Sequence, residues 1–161
     1  MFLKPDIKLD RITEITPELL RKYGIKALIL DVDNTLSTHH GTEIVAGFDK
    51  WKREMTEAGV KLTVLSNSVK KRIKPFAERI GLPFISGGAK PLPFGYIRAA
   101  RSMGVKHRDT AIVGDQIFTD VIAGNLAGVR TFMVEKLHRR EIWYVALKRI
   151  PEKLVRLIGR F

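Results

Sequence analysis

The sequence contains no cysteine. Disulfides, thiolate zinc sites and a cysteine nucleophile are therefore excluded together, and nothing points to an oxidising compartment. No apolar run reaches the ~18 residues that a membrane-spanning helix needs. Residues 1–15 carry charges where a signal peptide needs its apolar stretch, so no export signal is expected and a cytoplasmic location follows by elimination. There is no internal repeat, low-complexity tract or long linker, so residues 1–161 are expected to form a single domain. Aromatic residues make up only 8% of the chain. Few of them sit among basic residues, which leaves little material for stacking on nucleic-acid bases.

Acidic residues are scarce in one place. The formal net charge is +12, but it is unevenly spread. Residues 1–66 balance ten basic against ten acidic side chains, whereas residues 67–108 hold ten basic and one acidic. Residues 109–134 are net negative, and residues 135–161 carry eight basic against three acidic side chains. An excess of this kind points to a polyanionic partner: nucleic acid, an anionic membrane or a phosphorylated substrate.

What the chain does have is an alternation of short β-branched apolar runs with helical patterns. Strands are predicted over Lys26–Asp31, Val60–Ser66, Phe84–Ser86, Thr110–Gly114 and Arg130–Val134. Helices are predicted over Phe48–Ala58, Val69–Ile80, Pro93–Met103 and Ile117–Ala127, with glycine after each. Pro75 is expected to kink the second of these or to start a new first turn. Thr16-Pro17-Glu18 starts a short helix running to Tyr23. Continuous apolar strands separated by helices give an α/β fold, a parallel sheet covered on both faces. Such sheets bind ligands at the carboxyl ends of their strands. Those ends read Asp31, Ser66, Ser86 through Lys90, and Asp115, so with the strands parallel and adjacent all are expected to face one crevice.

Asp31 and Asp33 leave the first of these strands. Asp115 ends a later one, with Asp120 a turn beyond it. Carboxylates gathered without a cation raise one another's pKa, and a divalent ion with oxygen ligands, most simply Mg²⁺, relieves this. Lys90 adds a fixed positive charge and Ser66 a hydroxyl. Asn67 and Ser68 precede a helix N-terminus, whose N–H groups suit a phosphate. Each piece alone is commonplace in turns and caps. Together, in order and each after a strand, they suit phosphoryl transfer through an aspartyl-phosphate.

The stretches Asp31-Val32-Asp33-Asn34-Thr35, Leu65-Ser66-Asn67, Lys90-Pro91 and Gly114-Asp115-Gln116-Ile117-Phe118-Thr119-Asp120 resemble the four motifs of the haloacid dehalogenase (HAD) superfamily. Ile15-Thr16-Pro17-Glu18 and Gly24-Ile25-Lys26 extend the resemblance to the YqeG-type class IIIA phosphatases, which are similar to phosphatidylglycerophosphate phosphatases. The resemblance implies a three-layer α/β/α Rossmann-like fold, with residues 1–25 as an extension and 26–134 as the catalytic core. It implies Asp31 as nucleophile and Asp33 as general acid and base. Ser66 and Asn67 would bind the phosphoryl oxygens together with Lys90, which also neutralises Asp31. Mg²⁺ would be held by Asp31, the Asp33 main-chain carbonyl and Asp115. Thr35 and Asp120 would support these groups, Asp120 by orienting Lys90 or a metal-bound water.

Members of this superfamily use inserted cap domains to select small substrates. Here Ser66 lies 35 positions after Asp31, and Asp115 lies 25 positions after Lys90. A short flap (Leu36–Glu43), one helix and one strand use up the first interval, and a helix and a strand the second. The fold is expected to be capless and the site open to a phosphate on a large object, unless a homo-oligomer partner supplies a cap in trans. Residues 135–161 are expected to form basic amphipathic helices. Leu154, Leu157, Ile158 and Phe161 fall on one arc, and Lys153, Arg156 and Arg160 on another, as in helices that lie on an anionic membrane or dock on a protein. The expected substrate is phosphatidylglycerophosphate, a lipid head group at the inner face of the membrane. The alternatives are a phosphatase for nucleic-acid ends or phosphoproteins, and a non-catalytic interaction module.

Overall fold

The computed structural model describes residues 3–33, 35–37 and 43–135. The expected C-terminal helices beyond residue 135, Asn34 and most of the flap lie outside the described residues. Six strands form one sheet: β1 (Ile7–Leu9), β2 (Ala27–Leu30), β3 (Lys61–Leu65), β4 (Phe84–Ile85), β5 (Thr110–Gly114) and β6 (Arg130–Val134). Their spatial order is β1-β6-β5-β2-β3-β4, and every pairing is parallel. Helices α1 (Pro17–Lys22), α2 (Phe48–Glu57), α3 (Lys70–Ile80), α4 (Phe94–Ser102) and α5 (Ile122–Ala127) connect the strands.

Alternation along the strands sorts the helices into two layers. Leu28, Leu30, Val64, Val113 and Phe132 face a core with Leu20 of α1, Trp51 and Met55 of α2, and Ile73 and Ile80 of α3. Ala27, Ile29 and Ile112 face the other side, against Tyr96 and Ala99 of α4 and Ala123 of α5. The result is the three-layer α/β/α sandwich. The observed strands match the predicted ones to within a residue or two at each end.

Three details differ from the sequence reading. A first strand, β1, adds to the sheet edge beside β6; three residues are too few to show a strand pattern. Pro75 sits inside an uninterrupted α3. Pro75 and Lys71 are both exposed, so the carbonyl that loses its amide partner can be hydrated. The segment predicted as one helix from Ile117 begins instead as a π-helical turn, Ile117–Val121, and becomes α-helical only at Ile122.

Besides the pairing of β1 with β6, a buried polar contact ties the N-terminal segment to the sandwich. Trp51 of α2 donates its indole N–H to the Ile15 carbonyl at 2.9 Å. Replacing Trp51 with Phe keeps an aromatic ring but orphans that carbonyl. The Trp51→Phe protein is expected to lose about 1–3 kcal/mol of stability, read as a lower midpoint in urea unfolding followed by circular dichroism.

Candidate active site

The sheet order reverses at β2. From β2 the chain steps outward to β3 and β4, then crosses back to β5 and β6. The carboxyl ends of β2 and β5 therefore flank a topological switch point, where open α/β sheets form their ligand crevice. Asp31 leaves β2 there, with its amide donating to the Val113 carbonyl at 2.9 Å. Asp115 leaves β5 immediately beside it.

Lys90 lies across this crevice. Its ammonium donates to Asp31 Oδ1 at 2.7 Å and to Asp120 Oδ1 at 2.8 Å. The lysine side chain is only 3% exposed. Its Nζ also lies 5.9 Å from the centroid of the Tyr96 ring. The Tyr96 hydroxyl is 2.7 Å from the Thr119 carbonyl and 3.3 Å from Asp120 Oδ1. Burial pushes the Asp31 carboxyl well above the usual carboxylate range, Lys90 opposes this, and Asp120 and Asp115 add to it. Burial pulls Lys90 down, but Asp120 and Asp31 outweigh it and hold the ammonium well above its ordinary value. Burial likewise raises Tyr96 and keeps it a neutral phenol. The lysine is thus a permanent cation, and Asp31 is the group whose charge depends on what lies beside it.

Two glycines make room for this arrangement. A Cβ on Gly114 would stand 2.4 Å from the Asp120 carboxyl carbon, so only glycine lets that carboxylate fold back over the end of β5. A Cβ on Gly95 would stand 2.3 Å from the Gly88 carbonyl oxygen, so only glycine lets α4 press against the loop that carries Lys90. The π-helical turn contributes too. The amides of Asp120 and Val121 both donate to the Gln116 carbonyl, at 3.0 and 3.2 Å, and the Gln116 amide returns to Asp120 Oδ2 at 3.2 Å. The wider turn swings Asp120 inward toward Lys90, a use to which π-turns are often put at functional sites.

The Ser66–Ser68 loop lies alongside. Ser66 Oγ accepts from the Ser68 amide at 3.0 Å. The Asn67 side chain pairs with the main chain of Lys90, accepting from its N–H at 2.8 Å and donating to its carbonyl at 3.2 Å. The Asn67 side chain thus ties the loop after β3 to the Lys90 loop, and its main-chain N–H is a separate group. Asp33 turns to a residue that the sequence reading missed. Arg72 of α3 places its guanidinium 2.6 and 3.3 Å from the two Asp33 carboxylate oxygens, and it also hydrogen-bonds Ser68 Oγ. Arg72 sits in the run Lys70-Lys71-Arg72, and only its proximity to Ser66 hinted at a role. The Thr35 hydroxyl is buried with no hydrogen-bond partner among the described residues.

Asp31, Asp115 and Asp120 each offer a buried carboxylate oxygen, all within 4.8 Å of one another. An all-oxygen, anionic donor set of this kind fits a hard divalent cation. The expected set of Asp31, Asp33 and Asp115 overlaps it in two members. The Asp33 carboxylate is engaged by Arg72, and its main-chain carbonyl is a separate donor.

Removing the lysine tests how far the cluster depends on it. Lys90→Met is expected to leave buried carboxylates without their cation, costing about 3–5 kcal/mol in a chelator-treated sample. Urea unfolding would measure this, and a loss below about 1 kcal/mol would mean that the ammonium does not hold the cluster.

Comparison with known proteins agrees with this geometry. A family model described as haloacid dehalogenase-like hydrolase matches residues 40–128, and one described as mitochondrial PGP phosphatase matches residues 1–77. The protein named "Probable phosphatase YqeG" of Bacillus subtilis is 39% identical over 133 residues, covering 83% of this chain and 77% of its own. A protein of Arabidopsis thaliana named phosphatidylglycerophosphate phosphatase 1, chloroplastic/mitochondrial, is 26% identical over 149 residues. That match covers 87% of this chain but only 43% of the relative, so the chain spans less than half of that protein's length. Among solved structures, a HAD family hydrolase from Deinococcus radiodurans with bound phosphate and sodium shares the fold. It has a TM-score of 0.55 at 17% identity, covering 79% of this chain and 88% of that one. The first family model spans more than half of the chain, and the Bacillus relative is alike across most of it. The chain belongs to the haloacid dehalogenase-like hydrolases and is a phosphatase.

Proposed function

We propose that this phosphatase is Mg²⁺-dependent, works through an aspartyl-phosphate on Asp31, and takes phosphatidylglycerophosphate as its substrate. The observation that carries the chemistry is the buried lysine held between Asp31 and Asp120 at the switch point. The lipid substrate is supported by the family match over residues 1–77 and by the Arabidopsis relative's name. It is also supported by the lack, among the described residues, of any inserted domain between β2 and β3 or between β4 and β5. A phosphate on a bulky lipid needs an open site.

In this reading Asp31 Oδ attacks phosphorus. A phosphorus–oxygen bond to the aspartate forms as the bond to the leaving alkoxide breaks. Asp33 gives the departing oxygen its proton. Arg72 holds the Asp33 carboxylate beside the Ser66–Ser68 loop. In the second half Asp33 takes a proton from water, which attacks phosphorus and frees Asp31. Lys90 and Ser66 face the phosphoryl oxygens, and Lys90 keeps Asp31 and the phosphate from repelling one another. Asp31, Asp115 and the Asp33 main-chain carbonyl would hold Mg²⁺, which supplies positive charge for the phosphoryl oxygens. Even beside Lys90, burial and the neighbouring Asp120 and Asp115 push Asp31 toward its neutral form, so further positive charge at the cluster favours the attacking carboxylate.

Phosphate release from phosphatidylglycerophosphate in mixed micelles checks the proposal. Activity is expected with Mg²⁺, to vanish with chelator, and to return when Mg²⁺ is restored. Asp31→Asn is expected to have no measurable turnover. Asp33→Asn is expected to fall by about 10²–10⁴, the usual contribution of a positioned acid and base. Equal release by the wild type and Asp31→Asn would sink the covalent mechanism, and release only from soluble phosphates would sink the lipid substrate.

A further inference from the structure

The loops around the crevice carry exposed apolar side chains where solvent alone gives no reason for them. Val69 is 70% exposed, Leu92 52% and Phe94 68%. Val69 precedes α3, directly after the Ser66–Ser68 loop. Leu92 and Phe94 follow Lys90 and lead into α4. The two loops are stitched side by side by the Asn67–Lys90 pairing and by the Gly87 amide donating to the Ser68 carbonyl at 3.1 Å. All three apolar tips therefore stand on one edge of the sheet, the edge that holds the crevice.

The same edge is strongly basic. Lys70, Lys71 and Arg98 are exposed, and Arg98 folds back to the Ser86 carbonyl at 3.4 Å, beside the end of β4. Between residues 67 and 94 the one acid is Glu78, which lies toward the far end of α3, 3.8 Å from Lys74. The placement of Lys70 and Lys71 breaks a local rule. They occupy the first turn of α3, which has no acidic residue and no side-chain cap, although the positive end of a helix dipole disfavours cations. Asp33 answers Arg72 in that turn, but Lys70 and Lys71 make no ion pair among the described residues, which leaves them to an external anion. Apolar tips rimmed by exposed cations complement an anionic bilayer: the tips enter the acyl boundary and the cations stay at the phosphates.

We propose that Val69, Leu92 and Phe94, flanked by Lys70, Lys71 and Arg98, form a face that docks on an anionic lipid bilayer and presents the crevice to it. This rests on the lipid-phosphate reading above and adds to it the surface by which the lipid is met. Each cation near such a bilayer contributes about fivefold in partition.

The test uses the full chain in co-sedimentation with vesicles of phosphatidylglycerol and phosphatidylcholine in equal parts, against vesicles of phosphatidylcholine alone. The wild type is expected to partition onto the mixed vesicles only, and less so as salt rises. A Val69→Ser/Leu92→Ser/Phe94→Ser variant and a Lys70→Gln/Lys71→Gln/Arg98→Gln variant are each expected to lose at least about tenfold in partition. Both are expected to hydrolyse p-nitrophenyl phosphate like the wild type, which shows that they fold. Should the triple apolar variant not fold, Phe94→Ser alone carries the test. The proposal is overturned if the variants bind as the wild type does, if the wild type ignores anionic vesicles, or if it binds both vesicle types equally. It is also overturned if the apolar tips prove to be covered by a second copy, seen as concentration-dependent dimers that the apolar variant abolishes. Binding of an oligonucleotide in place of vesicles, lost with the cations but not with the apolar tips, overturns it too. Docking lost in the variants while the wild type fails on phosphatidylglycerophosphate would sink the substrate reading and leave the docking face standing.

Discussion

One ammonium group organises the molecule's working end. Lys90 is buried between two carboxylates, Asp31 and Asp120, with Asp115 beside them. Taking such charges out of water is costly, and their mutual attraction repays it only when the geometry is good. The geometry here draws on three separate parts of the chain. β2 delivers Asp31, the π-helical turn after β5 delivers Asp120, and the loop after β4 delivers Lys90. Each part has a device that fixes it. Asp31 is hydrogen-bonded to β5 through its main chain, Asp120 sits over the bare Cα of Gly114, and the Lys90 loop is held by Asn67 and by the close approach of Gly95. The sheet order matters for the same reason: at the reversal the ends of β2 and β5 lie side by side while the helices that follow them, α2 and α5, pack on opposite faces.

The sheet was legible because its central strands are buried on both faces. β2, β3 and β5 read as plain apolar runs, and a run bounded by charge or glycine leaves little choice. The edges were harder to read. β1 has three residues and half-buried ends, so its pairing with β6 comes from tertiary contact rather than from pattern. The π-helical turn left no mark either, since Ile117 and Val121 would face inward from an α-helix as well. In the site, the residue types could be read but not their partnerships. Asn67 looks the same in sequence whether it faces a phosphate or the Lys90 backbone. Arg72 is one cation in a run of three, and only the loop that brings α3 beside Asp33 sets it apart.

The net charge of +12 resolves into two opposed fields. The crevice floor is anionic, built by Asp31, Asp115 and Asp120, and it is buried. The surrounding edge is cationic and exposed. Charges at the floor interact over a few ångströms in a low-dielectric setting and decide protonation states. Charges on the edge act through water over about a Debye length and decide what approaches. Summed, the cationic edge dominates. The floor contributes little to net charge, yet it holds the groups that a phosphate would meet.

The two fields also impose different tolerances on sequence change. At the floor a single atom matters: the methyl group of an alanine at position 114 or 95 would collide with Asp120 or with the Gly88 carbonyl. On the edge no contact is that close, and Lys70, Lys71 and Arg98 act through their sum. A cation lost from α3 could be made good by one gained on α4, because an anionic surface feels the total. No other side chain among the described residues stands in for Lys90, because two buried carboxylates share that one ammonium.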